Sequence, residues 1–147
     1  MKVSILRKRS SDEAFLRSLG QRAFGEYDSA AGEHAVRLGA RRDALTLVAC
    51  AEERPVGFAI VRLRGTASSL DAIAVDEASR GAGVGKRLLR AAEAEAERRG
   101  ATEIGLVTAA ANLSALDLFL KAGFRIEERL PRYYRRGQDA VRLRKRW

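Results

Sequence analysis

The stretch IAVDEASRGAGVGKRLL, residues 73–89, gathers residue types that can hold an anion. An apolar run closes on an acidic pair, Asp76 and Glu77, and three glycines follow among basic residues before a series of good helix formers. Small residues let successive amide N–H groups turn inward, and a helix start adds about half a positive charge, so such a loop can cradle phosphate. Two better-known phosphate loops do not fit. A Walker loop ending at Gly85-Lys86 needs Gly at 80 and Ser or Thr at 87, where the chain has Arg80 and Arg87. A dinucleotide fingerprint starting at Gly81 needs Gly at 86 and meets Lys86. What remains is Arg80-Gly81-Ala82-Gly83-Val84-Gly85-Lys86 between a strand and a helix, a nest suited to a pyrophosphate. A plain Gly-rich strand-to-helix turn is the other reading of these residues.

Other reactive side chains are few. His34 is the only histidine and reads as a surface residue. Cys50, the only cysteine, lies in the apolar run LTLVACA and reads as a buried small hydrophobe without an intramolecular disulfide partner. No His, Cys and carboxylate cluster has metal-ligand spacing, and no Ser-His-Asp arrangement stands out. No metal is expected.

These residues need elements to position them. KVSILRK alternates as a first strand, and SSDEAFLRSLGQRAF reads as a helix with Ser11 as N-cap and Phe15, Leu16, Leu19 and Ala23 at helical spacing. Residues 25–43 read as loop and short helix. ALTLVACA and VGFAIVRLR are strands joined by an EERP hairpin turn, and ASSLDAIAV is a strand ending at Asp76. The helix after the glycine turn runs from about Val84 to Arg99, with Val84, Leu88, Ala91 and Ala92 as its apolar stripe, Glu95 and Arg99 as an i,i+4 pair and Gly100 as its stop. TEIGLVTA is a strand, Asn112 caps a helix through Lys121, and FRIEERL and DAVRLRK close the chain as strands. The order β-α-(α)-β-β-β-α-β-α-β-β specifies an α/β fold on a mixed sheet. With two prolines and no repeat or low-complexity linker, the expectation is one domain over residues 1–147.

The loop after LDAIAV resembles the acetyl-CoA loop of the GNAT (Gcn5-related) N-acetyltransferase superfamily. NLSALDLFLKAGF, residues 112–124, is similar to that family's asparagine-led helix. The resemblance is strong over Val56 to Trp147 and looser over the first strand and helix. It implies a GNAT-like α/β domain: a mixed, mostly antiparallel sheet flanked by helices, with strands near 73–75 and 104–108 splayed around the thioester. It also implies that the backbone of Ile73, Ala74 and Val75 pairs with the pantetheine arm like an added strand. Residues 81–86, after Arg80, would hold the pyrophosphate, and Asn112 would hydrogen-bond the pantetheine. PRYYRRGQDAVRL narrows the resemblance to the ribosomal-protein and protein N-terminal acetyltransferases, which commonly carry a Tyr-Tyr pair and a later Asp-Ala, here Tyr133, Tyr134, Asp139 and Ala140. In that branch one or both tyrosines embrace the acceptor's first residues; two aromatics packing a sheet edge is the other reading. Tyr27 and Asp28 fall where family members build the acceptor wall.

Two positions depart from the family. The tyrosine thought to protonate departing CoA is replaced by Phe119, which keeps the packing against the cofactor, and the Glu or His base by Val107. The attacking amine must be neutral. A lysine, with pKa about 10.4, costs on the order of 4 kcal/mol to deprotonate at neutral pH, whereas an α-amine near 7.7–8 costs about 1 kcal/mol. An enzyme without a strong base therefore suits α-amines better, with positioning supplying much of the acceleration. The substitute proton carriers are Asp71, placed on the face of Ile73 by strand period, and Tyr134, if the last hairpin folds over the site. A salt-bridged or solvated Asp71 is the competing reading.

Composition sets the frame. The 147 residues carry 28 basic and 19 acidic side chains, a formal charge of +9. The basic tail RYYRRGQDAVRLRKRW reads first as a solvated face, ahead of a ligand phosphate site and of nucleic acid. No apolar run approaches a membrane span, and MKVSILRKRSSDEAF has too short an apolar core for a secretory signal, so a cytoplasmic protein is expected. The expected activity is transfer of acetyl from acetyl-CoA to a primary amine, by preference a protein or peptide α-amine. The alternatives are a small amine (amino acid, polyamine or antibiotic) and a CoA-binding sensor or interaction domain. Homodimers are frequent in the family, but no segment of the sequence marks an interface.

Overall fold

A computed structural model of the chain describes residues 2–147. In chain order the elements are β1 (Val3–Arg7), α1 (Glu13–Phe24), α2 (Ala31–Gly39), β2 (Ala44–Ala51), β3 (Arg54–Arg64), β4 (Ala67–Val75), α3 (Val84–Arg98), β5 (Glu103–Ala109), α4 (Leu113–Lys121), β6 (Arg125–Leu130) and β7 (Ala140–Arg146). The seven strands form one sheet in the order β1-β2-β3-β4-β5-β7-β6. Every neighbouring pair is antiparallel except β4 and β5. The strands β2 and β3 are apolar almost throughout because both sheet faces are covered. Phe58 and Ile60 pack with Leu16 and Leu19 of α1 and Ala35 of α2. Ala59 and Val61 pack on the opposite face with Leu88, Leu89 and Ala92 of α3. Among the described residues no helix is long and apolar enough to cross a membrane.

The boundaries differ from expectation where side chains override local preference. Ser11 lies inside a 3-10 turn, Ser10–Asp12, and does not cap α1. The buried Asp12 carboxylate instead accepts the Arg9 N–H at 2.8 Å. The β2–β3 turn is only Glu52 and Glu53, both at positive φ (51° and 67°), so Arg54 and Pro55 already pair with Ala51 and Cys50. That is the backbone of a tight two-residue hairpin, made here without glycine. Helices α1 and α2 approach backbone to backbone: a Cβ on Gly32 would lie 2.4 Å from the Arg17 carbonyl oxygen.

The sheet opens between its two parallel strands. Pairing joins Ala67, Ser68 and Ser69 to Glu103, Ile104 and Gly105 and then stops. Beyond that point β3 holds β4 as far as Val75, and β7 holds β5 as far as Ala109. Each strand is thus tied on its outer side while its inner edge is free over residues 70–75 and 106–109. The opening starts beyond Gly105, so residues 104 and 105, expected in the splay, belong to the paired part. A β-bulge marks the divergence: Leu70 faces Val61 and Ala72 faces Ile60, which leaves Asp71 as the extra residue. A bulge of this kind bends a strand and increases its twist.

Candidate active site

One mouth of the opening is a cleft of about 1120 Å³ between the C-terminal end of β4 and the starts of α3 and α4. Ile73, Ala74, Val75, Arg80, Gly81, Gly83, Val84, Gly85 and Lys86 line it, while Ala82 does not. Gly81 and Gly83 adopt φ of +81° and +78°, and a Cβ on either would meet no atom within 4 Å, so the loop faces open space. Gly83 is the N-cap of α3, and its carbonyl accepts the Arg87 N–H at 3.1 Å. Among the described residues, the N–H groups of residues 81–86 have no protein acceptor. Six consecutive unpartnered donors at a helix start are an arrangement that can hold an anion such as a phosphate. Lys86 and Arg90 add positive charge to the wall. The Arg80 Nε donates to the Val75 carbonyl at 3.4 Å and so holds the loop against the strand end.

Across the cleft, Asn112 caps α4. Its Oδ1 accepts the Ala115 N–H at 3.2 Å and the Ser114 hydroxyl at 3.3 Å, which leaves its amide NH₂ for a ligand. Phe119 is buried, with its ring centroid 5.7 Å from that of Phe124. The floor carries an ion pair that sequence reasoning missed. Lys145 Nζ lies 2.5 Å from the buried Glu93 carboxylate and donates to the Ala122 carbonyl at 2.8 Å. One side chain of β7 thereby holds both α3 and the C-terminal end of α4. Nothing local in either helix or strand announces it.

A second cavity of about 550 Å³ lies on the α2 side of the sheet, lined by Leu38, Arg62, Asp71, Val107, Tyr133, Tyr134 and Arg142 among others. Asp71 and Ile73 do not share a surface, as strand period implied, because the bulge breaks the alternation: Ile73 lines the first cleft and Asp71 the second. The Asp71 carboxylate accepts Ser69 Oγ at 2.8 Å and lies 3.2 Å from Arg62 Nε. That pair is close but poorly aligned, since neither Arg62 Nε nor Asp71 Oδ2 has a hydrogen-bond partner. Val107 presents no proton-accepting group to this cavity.

The aromatic pair meets between the two cavities. Tyr27 lines the first and Tyr134 the second, and their rings stack at 4.8 Å with a 43° tilt. Tyr133 packs edge-on against Tyr134 at 5.0 Å. Burial, reinforced by the neighbouring phenols Tyr133 and Tyr27, pushes the Tyr134 hydroxyl up to about 12. Tyr27 is also raised, by burial first and then by Glu26. Asp28 lines neither cavity. Burial pushes its pKa up, but the hydrogen bonds from His34 and the Ala30 N–H outweigh that and leave it lowered. Its visible role is to hold the loop before α2, by accepting the Ala30 N–H and pairing with His34.

The hairpin between β6 and β7 is pinned at several points. Gln138 Nε2 donates to the Glu26 carbonyl at 3.0 Å and joins the hairpin to the α1–α2 loop. Asp139 accepts the Arg132 N–H at 3.0 Å and Arg129 Nη2 at 2.9 Å. Gln138, Arg62 and Arg142 were not singled out in the sequence. Only the pairing of Val107 with Arg142 across β5 and β7 brings that arginine to the site. Burial raises the Cys50 thiol, in keeping with a core role.

Known proteins share this architecture. Ard1 from Thermoplasma volcanium superposes with a TM-score of 0.89 at 22% identity, covering 99% of this chain and 98% of that one. The ribosomal-protein-S18-alanine N-acetyltransferase from Escherichia coli gives 0.85 at 22% identity, over 99% and 94%. The PaiA N-acetyltransferase from Thermoplasma acidophilum, solved in complex with coenzyme A, gives 0.81 at 18% identity and covers both chains completely. At these identities the likeness is one of fold. No curated protein matches the chain by sequence. The model of the Acetyltransferase (GNAT) family matches residues 13–124. That match takes in the first helix, the anion loop and the capped fourth helix, and by it the chain belongs to the GNAT acetyltransferase family.

Proposed function

We propose that the protein transfers acetyl from acetyl-CoA to the α-amine of a protein or peptide. The observation that carries this is the opening between β4 and β5, with the unpartnered amides of residues 81–86 at one mouth and a tyrosine-lined cavity at the other. In this reading the amides and Lys86 take the pyrophosphate, and the Asn112 NH₂ and the free inner edge of β4 take the pantetheine arm. The amine arrives through the second cavity. Its nitrogen bonds to the acetyl carbon, the carbon–sulfur bond breaks, the nitrogen gives its proton to water, and the CoA sulfur gains one. Tyr134 is the donor for that sulfur, and its hydroxyl is protonated throughout the neutral range.

The absence of a base decides the kind of amine. Val107 is apolar and the Asp71 carboxylate lies against the Arg62 guanidinium, so this reading gives neither the task of taking the ammonium proton. Arg142 stands beside Val107 and, paired with Glu128, offers no proton acceptor of its own. An α-amine costs about 1 kcal/mol to neutralise, several kcal/mol less than a lysine. One observation favours a small amine instead: the Tyr27–Tyr134 stack and the Gln138–Glu26 bond narrow the way in. Acetyl-CoA binding by calorimetry, followed by CoA release with peptide N-termini, free amino acids and polyamines, separates these readings. Release with peptides supports the proposal. Release only with small amines, or binding without release, refutes it.

A further inference from the structure

We infer that the acceptor is an acidic N-terminal segment, read by Arg135 and Arg136 beside the tyrosine pair; this rests on the α-amine reading above. The argument is one of charge left over. At this end of the molecule nearly every carboxylate is already engaged. Asp71 faces Arg62, Glu128 faces Arg142, Asp139 faces Arg129, and Asp28 faces His34. Arg135 and Arg136 are exposed and have no carboxylate partner among the described residues. The charge of Arg135 reaches Asp28 and lowers its pKa, so one guanidinium is partly offset, and Glu26 lies on the opposite wall nearer the first cleft. Arg136 remains wholly uncompensated. The Tyr134–Gly137 turn is positive, and the formal charge of +9 gives the long-range field the same sign.

The hairpin is a fixed platform rather than a loose tail, because Gln138, Asp139 and the Tyr134–Gly137 turn pin it. An extended peptide advances about 3.3 Å per residue. Arg135 and Arg136 follow directly on Tyr133 and Tyr134, which line the second cavity, so in this inference the second to fourth residues of a peptide whose amine lies at the sheet opening reach this turn. Exposed ion pairs are individually weak and screened by salt, so the expected selectivity is about tenfold and falls as ionic strength rises.

The test compares three peptides that share an N-terminal alanine and carry acidic, neutral or basic residues at positions two to four. CoA release is measured with saturating acetyl-CoA at low and at physiological ionic strength. The expected kcat/KM order is acidic, neutral, basic, with the spread narrowing in salt, and Arg135→Glu with Arg136→Glu reverses it. Turnover of all three peptides at equal rates, or an order that the double substitution leaves in place, overturns the inference while leaving the α-amine reading standing. Turnover of small amines but of no peptide removes both. Loss of single-stranded oligonucleotide binding in the double variant, with no change in peptide order, assigns the arginines to nucleic acid and overturns it as well.

Discussion

In the proposed reaction Tyr134 is the proton donor to the CoA sulfur. It lines the second cavity and stacks on Tyr27 of the first, and burial keeps its hydroxyl protonated by raising it to about 12. Because the shift is upward, the neutral phenol is retained as pH rises through the ordinary tyrosine range near 10. The acceptor's own ammonium group therefore sets the acidic limb of the rate profile, and no loss of activity from Tyr134 is expected until the pH approaches 12. A profile of kcat that falls with an apparent pKa near 10 would sink this assignment. Tyr134→Phe keeps the aromatic packing and removes the proton, so kcat should drop by about 100-fold, the lower end for loss of a general acid. An unchanged kcat would show that water serves the sulfur. At the other mouth, Gly83→Asp puts a carboxylate before the unpartnered amides and an L side chain at φ +78°. Calorimetry should then detect no acetyl-CoA binding; retained binding would remove the loop from the cofactor site.

The helices and hairpins that carry these residues are adjusted by close contacts. At the α1–α2 crossing, a methyl group on Gly32 has the Arg17 carbonyl in its path, and backbone cannot swing aside as a long side chain can. Gly32→Ala should cost about 1–3 kcal/mol, the range for overpacking, and should raise KM for the acceptor because the displaced helix begins just after the loop bearing Tyr27. Denaturant melts and initial rates read the two effects separately; a variant as stable as the parent would mean the helices can part freely. The β2–β3 turn errs the other way. Glu53 holds φ 67°, a conformation that costs an L residue roughly 1–2 kcal/mol. Glu53→Gly should recover about 0.5–1 kcal/mol, since glycine's own entropy cost offsets part of the gain. A lower melting temperature in that variant would refute the strain.

For the molecule as a whole, cofactor binding and folding are linked. A ligand that binds only the native state adds about 2.7 kcal/mol at a hundred times its Kd, so acetyl-CoA should raise the melting temperature in a concentration-dependent way. Gly83→Asp should abolish that rise, whereas a rise common to both proteins would point to binding elsewhere. The order of elements, the glycine turn before α3 and the Asn112 cap were legible in the chain because each is local: period, glycine placement and capping chemistry act within a few residues. Phe119 and Val107 were marked as apolar departures only by their alignment with the family's motifs. Contacts between distant segments were not legible in that way. The bulge that turns Asp71 away from Ile73 depends on the register between β3 and β4, and a one-residue slip reverses every side chain beyond it. The Glu93–Lys145 pair, the Gln138–Glu26 tie and the placing of Arg142 beside Val107 join residues far apart in sequence. By itself, then, the sequence determined the fold class and the place of the glycine turn at a helix start, while the tertiary structure decided where the sheet opens and which side chains face the opening, because strand register and helix docking are properties of the packed whole.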